Sequence, residues 1–232
     1  MSRTPAKRKS ESRSSSSVAK SARIDKCSAA SRKSTTKLSL HIKDLFDSYV
    51  NKSIGMIDPE GIEALCKDLK VDHTDARILM LAWKLKAEKQ GYFTESEWQQ
   101  GLAALKVDNI TKLRKALPGL ETEVSKPENF DDFYRFAFNY CLTEDKQKNV
   151  DVDSACVLLD LVLKSKYPSQ VKHMKLYLQN QRDYKVINKD QWINILRFCQ
   201  EISFPDLANY DSAQAWPLIL DNFVDWMKET QS

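Results

Sequence analysis

From Leu38 to the last residues of the chain, apolar positions recur at helical spacing. The stretch ARILMLAWKLKAEK places Ile78, Leu79, Leu81, Ala82 and Leu85 toward one side, and FDDFYRFAFNYC aligns Phe130, Phe133, Tyr134 and Ala137 in a stripe. DSACVLLDLVLKSKY and QWINILRFCQEI follow the same rule. A period near 3.6 predicts amphipathic helices. No alternation of apolar and polar residues runs long enough for a proper sheet, and glycine occurs only five times in 232 residues. The expected fold is therefore all-α.

A weaker repeat lies inside this pattern. Four short pairs, Met56-Ile57, Tyr92-Phe93, Asn149-Val150 and Val186-Ile187, each precede a polar residue suited to open a helix: Asp58, Thr94, Asp151 and Asn188. Such side chains accept hydrogen bonds from the otherwise unpaired N–H groups of a first turn. Thr94 with Glu97, and Asn188 with Gln191, have the spacing of capping boxes. The openings are 36 residues apart in the first half and 37 in the second. Helix, short extended pair and helix, occurring twice as doublets, predicts two EF-hand-like lobes.

These lobes lack the chemistry of calcium loops. In the best candidate, Lys86 to Glu97, Gly91 falls at loop position six, Phe93 at eight and Glu97 at twelve, but Lys86 occupies position one. A hard divalent cation requires an oxygen ligand there. The first loop offers Val50, Lys52 and Ile54 at positions one, three and five. No metal or cofactor is expected.

Charge divides the chain. Residues 1–37 contain eleven Lys/Arg and two acids, with no Trp, Tyr, Phe or Leu, whereas residues 38–232 contain 25 Lys/Arg and 30 acids. A segment that poor in apolar groups cannot offset its ordering entropy. The expected organisation is a disordered basic tail, 1–37, on a mildly acidic helical domain, 38–230. Lys7, Arg8 and Lys9 form a candidate nuclear-import cluster, although a solvated tail with no address has the same composition. The tail has no aromatic residue to stack on bases, so no specific nucleic acid is expected. No apolar run approaches a membrane span, and the chain opens without a signal region or the glycine that myristoylation needs.

Catalytic motifs are missing. There is no phosphate-cradling glycine loop and no nucleophile elbow; His41, His73 and His173 stand apart, and the five cysteines show no C-x-x-C pair. Scattered thiols of this kind are core packing in a reducing compartment. The expectation is a non-enzyme.

The stretch NYDSAQAWPLILDNFVDW, Asn209 to Trp226, carries two tryptophans, three aspartates and no basic residue. Pro217 is suited to the first position of a helix. Leu220, Phe223, Val224 and Met227 share its inner face, with Asp221 and Asp225 on another. Those acids are either a dipole-favouring first turn on a solvated face or a partner surface.

IDPEGIEALCKDL, LAWKLKAEKQGYFTESEW, NKDQWINIL and NYDSAQAWPLILDNFVDW together resemble the defective-in-cullin-neddylation (DCN-like) family and its potentiating-neddylation (DCUN1) domain, in order from Leu38 to Trp226. The resemblance implies an all-helical fold of two EF-hand-like lobes. It also implies a scaffold role in a ubiquitin-like conjugation pathway: binding the C-terminal region of a cullin and the conjugating enzyme charged with the NEDD modifier, next to the RING subunit of cullin ligases. The cullin-binding patch it implies is Asp190, Ala215 and Asp221. The implied apolar pocket for the conjugating enzyme's acetylated N-terminus is Ile62, Ile78, Ala82, Leu85, Phe93, Tyr140 and Leu161, residues that periodicity alone would assign to the core. The short basic tail resembles the nuclear subgroup of the family, which implies a nuclear location with some cytoplasmic protein. Two other readings stay open on the residues: an EF-hand-like adaptor or calcium sensor, and a nucleic-acid-binding protein led by its tail.

Overall fold

The computed structural model describes residues 36–144 and 146–231. The segment 1–35, including the import cluster Lys7, Arg8 and Lys9, lies outside the described residues. Helix α1 (36–47) includes Thr36 and Lys37. The apolar residues Ile42 and Phe46 of α1 are buried in the core, and the turn before Leu38 belongs to the same helix.

The first lobe follows as β1 (Val50–Asn51), β2 (Met56–Ile57), α2 (Pro59–Leu69), α3 (Ala76–Leu85), β3 (Phe93–Thr94), α4 (Glu95–Leu105) and α5 (Ile110–Val124). Helix α6 (Pro127–Tyr140) leads to the second: β4 (Asn149–Asp151), α7 (Val152–Val162), α8 (Pro168–Asn180), β5 (Val186–Asn188), α9 (Lys189–Glu201) and α10 (Leu218–Gln231). The fold is all-α with short strands.

All four expected helix openings are present. Asp58, Thr94, Asp151 and Asn188 each accept a hydrogen bond from a backbone N–H of the following first turn, and both capping boxes are closed in the two directions. The extended pairs meet within each lobe: Ile57 lies opposite Phe93, and Val150 opposite Ile187, in antiparallel register. Strand β1, absent from the repeat, adds Val50 opposite Ile57 on the outer edge.

The loop geometry survives without the ligands. Gly55 (φ 70°) and Gly91 (φ 78°) both occupy the sixth loop position in the left-handed region. Glu97, at position twelve, is held by the chain itself: its carboxylate accepts from the backbone N–H of Glu88 at 2.9 Å and of Thr94 at 2.7 Å. Position twelve of the first loop is Gly61, where a Cβ would stand 2.2 Å from the Tyr49 carbonyl oxygen. No side chain, and hence no carboxylate, fits there.

Each lobe has its own core. Trp98 and Phe93 centre the first, where the Trp98 indole donates to the Ile42 carbonyl at 3.2 Å. In the second, Tyr134 of α6 and Trp192 of α9 stack 4.5 Å apart and exchange side-chain-to-backbone bonds of 2.8 and 3.0 Å. Helix α6 serves both, since its Tyr140 belongs to the first core and its Phe133 to the second. Leu79 and Met80 of α3 pack on both cores as well.

Candidate functional site

The acidic candidates rest on a second-lobe scaffold. The α9 opening is satisfied by Asn188 and Gln191, with bonds of 2.8 and 2.9 Å between side chain and backbone in each direction. Asp190 takes no part in that cap. It is exposed, and its carboxylate meets only the Asn194 amide at 3.3 Å. The same side of α9, one turn beyond Asn194, presents Arg197. Its guanidinium grips Glu201 through two 3.0 Å contacts, reaches Gln214 at 3.3 Å and lies 4.2 Å from the Trp216 ring centre. Gln214 and Trp216 flank Ala215, which is exposed. The α9 side that starts at Asp190 therefore runs onto the loop that holds Ala215.

Trp216 links that loop to α10. It is buried between Phe198 and Tyr210, stacked with Tyr210 at 6.0 Å, and its indole N–H has no acceptor among the described residues. Tyr210 in turn donates its hydroxyl to Asp221 in the first turn of α10. Burial, and then the Asp221 carboxylate, raise the Tyr210 phenol above its ordinary range, so it remains a donor. Asp221 is thus half-buried and aimed by a neighbour, while Asp225, one turn on, is exposed. Ile219, Leu220, Phe223, Val224 and Met227 point the opposite way into the core. Helix α10 starts at Leu218, one residue after Pro217, whose carbonyl accepts from Leu220 at 2.8 Å.

Contacts run from Arg197 of α9 through Trp216 and Tyr210 to Asp221, with Ala215 between Gln214 and Trp216 in the chain, while Asp190 lies two turns before Arg197 on α9. Sequence reading missed the Trp216 and Tyr210 supports. Nothing local in the sequence shows that Tyr210 meets Asp221 or that Arg197 crosses to Trp216.

The apolar candidates divide differently. Ile78, Ala82, Leu85, Phe93 and Tyr140 are buried in the first-lobe core, and Ile62 packs half-buried against it. Leu161 of α7 packs on the other core and lines a groove of about 440 Å³ with Gln90, Cys141, Asp151, Asp153, Val157 and Leu158, and none of the six lines that groove. The Tyr140 hydroxyl accepts from the Gly91 N–H at 3.3 Å, each residue being the chain neighbour of a lining residue, Cys141 and Gln90. Burial pushes the Tyr140 phenol up to about 12 and the Cys141 thiol up to about 11, so neither is charged near neutrality. Val157, 61% exposed, sits on the rim. The groove has a mixed lining, with Asp151, Asp153, Thr143 and Gln147 beside Val150, Val157, Leu158 and Leu161, and only Leu161 of the sequence-derived set opens into it.

Comparison with known proteins follows the same lines. A family profile described as "Cullin binding" matches residues 112–226. The chain is 42% identical over 177 residues to DCN1-like protein 4 of Homo sapiens, covering 76% of this chain and 59% of that one. It is 39% identical over 176 residues to DCN1-like protein 4 of Danio rerio, covering 61% of it. DCN1-like protein 5 of Homo sapiens is 38% identical over 177 residues, with 73% of its length covered. The chain thus spans about three fifths of the first two relatives.

Proposed function

The chain belongs to the DCN1-like family, and on that premise we propose that it is a non-catalytic scaffold that promotes cullin neddylation by holding a cullin and the modifier's conjugating enzyme together. The observation that carries the reading is the outward pair of carboxylates, Asp190 and Asp221, around the exposed Ala215. The α9 cap is complete without Asp190. Tyr210 fixes one oxygen of Asp221 and leaves the other carboxylate oxygen for a basic side chain. A small residue between them lets a lysine or arginine of the cullin's C-terminal region approach.

The conjugating enzyme would dock at the groove lined by Leu161. An acetylated N-terminus carries no charge, so its methionine reaches Val157, Leu158 and Leu161 without an ion's desolvation cost. Ile62, Ile78, Ala82, Leu85 and Phe93 lie in or against the first-lobe core. Rate enhancement then comes from proximity and orientation, an effect that needs no reactive side chain. The RING subunit of the ligase would sit beside this assembly, and the tail cluster Lys7, Arg8 and Lys9 would direct it to the nucleus.

The test is calorimetry against a cullin C-terminal domain. Asp221→Asn keeps an acceptor for Tyr210 and removes the charge. Loss of one partner of a desolvated interfacial pair costs roughly 2–5 kcal/mol, or some 30-fold or more in affinity. Parental affinity in both Asp221→Asn and Asp190→Asn would refute the patch.

A further inference from the structure

The basic residues of the folded domain are not spread evenly. Residues 164–185 contain six Lys/Arg and one acid, inside a domain in which acids outnumber bases by five. They lie on α8 and on the segments before and after it. Most of α8 is already occupied. Val171, Met174 and Leu178 enter the core, Tyr177 packs on Phe223 and Trp226 of α10, and His173 lies 5.2 Å from Phe204. What remains is the side toward α7, where Lys172, Lys175, Leu176 and Gln179 follow at helical spacing.

That side borders a groove of about 390 Å³ between α7 and α8. Its floor includes Val171 and Pro168, and its far wall Asp160 and Lys164. Lys175 is committed, because it is paired with Asp160 while both are about a quarter to a third exposed (24% and 34%). Lys164 and Lys172 are exposed and form no ion pair among the described residues. Leu176, on the same rim, is 40% exposed. A solvated lysine face requires no groove and no exposed leucine between its cations.

We propose that this α7–α8 groove binds an acidic amphipathic helix of a partner protein, with carboxylates on Lys164 and Lys172 and an aliphatic side chain over Leu176 and Val171. Laying an apolar helix edge into such a groove is a recurrent recognition mode, and flanking charges set its register. Nucleic acid suits the groove less well. Its phosphates would meet the lysines but leave Leu176 against charge, and none of the lining residues is an aromatic on which a base could stack. The groove is distinct from the acidic patch, since α8 turns its Tyr177 side to α10 and this side to α7.

The test is titration of the full-length, isotope-labelled chain with a synthetic helical peptide carrying Glu along one edge and Leu along the next, followed by amide shifts. Shifts should concentrate at the end of α7, at Lys164 to Lys166 and along α8. The double variant Lys164→Glu/Lys172→Glu should weaken binding at least tenfold, about 1.4 kcal/mol. Leu176→Ser should weaken it several-fold with the charges intact, and a polyglutamate peptide without leucine should bind more weakly than the amphipathic one. Amide spectra of the variants outside α7 and α8 report that the fold persists. Shifts confined to residues 1–35, equal binding of polyglutamate, or tighter binding of a single-stranded oligonucleotide lost in the same lysine variant would each overturn the proposal.

Discussion

At the scale of single residues, burial decides which substitutions report on function. Ala82 is 1% exposed in the first-lobe core. Arginine there would bury an unpaired charge and disrupt the lobe, so it reports on folding and not on a pocket. Leu161, half-buried at the groove, is the better probe. Leu161→Glu should reduce affinity for an acetylated conjugating-enzyme peptide at least tenfold, about 1.4 kcal/mol, with cullin affinity unchanged in calorimetry. Tyr210 is the corresponding probe of the acidic patch, because it touches Asp221 from the protein side. Tyr210→Phe keeps the ring against Trp216 and removes the hydroxyl. A hydrogen bond to a charged group is worth roughly 1.5–3 kcal/mol, so the melting temperature should fall. Cullin binding should weaken only several-fold, less than in Asp221→Asn, because the charge remains but is no longer aimed. Equal cullin affinities in Tyr210→Phe and the parent would mean that the hydrogen bond is structural only.

At the scale of elements, the openings of the helices were legible and their partners were not. Asp58, Thr94, Asp151 and Asn188 act within four residues of themselves, so spacing alone revealed them. The pairing of Ile57 with Phe93 followed from the repeat, whereas β1 did not, because Val50 and Asn51 carry no repeat signal. The site was legible to the same degree. Asp190 and Asp221 stand out as acids at helix starts, but their shared surface depends on Arg197 reaching across 17 residues to Gln214. The apolar set was read as a single pocket, and Ile78, Ala82, Leu85, Phe93 and Tyr140 are buried in the first-lobe core, because periodicity marks an inward face without saying how deep it lies. The loop reading has its own test. Glu97 accepts two backbone N–H groups where an EF-hand would bind calcium. Glu97→Ala strands both donors, each worth about 1–3 kcal/mol when it has no partner. Asn188→Ala removes one cap, worth about 1 kcal/mol. Urea denaturation should therefore show Glu97→Ala to be the more destabilised of the two. A smaller loss than in Asn188→Ala would mean that water replaces the carboxylate.

At the scale of the whole molecule, the tail and the domain make separate predictions. Changing Lys7, Arg8 and Lys9 together to alanine, in a fusion too large to enter by diffusion, should leave the protein outside the nucleus; unchanged nuclear accumulation would remove the import role. The domain's prediction concerns alkali, since burial disfavours the anions of its thiols and phenols. Burial pushes Cys199 up to about 12, Cys141 and Cys156 up to about 11, and Tyr140 and Tyr177 up to about 12, from ordinary values of 9.0 for the thiols and 10.0 for the phenols. In each case the folded chain holds its proton more tightly than the unfolded chain. The stability these groups contribute is therefore fully present below pH ~9 and is lost as pH rises from there through about 12. Each proton held by the folded form and released by the unfolded form costs about 1.4 kcal/mol per pH unit. Thermal melts should hold steady from pH 7 to 9 and then fall as pH rises. Cys199, in the second core, is the thiol that burial pushes up furthest. Cys199→Ala should lower the melting temperature at neutral pH, because packing is lost, and should also flatten the alkaline slope by the equivalent of one proton. An unchanged slope in that variant would mean that the Cys199 thiol reaches water before it titrates, and that a local opening of α9 governs the alkaline response.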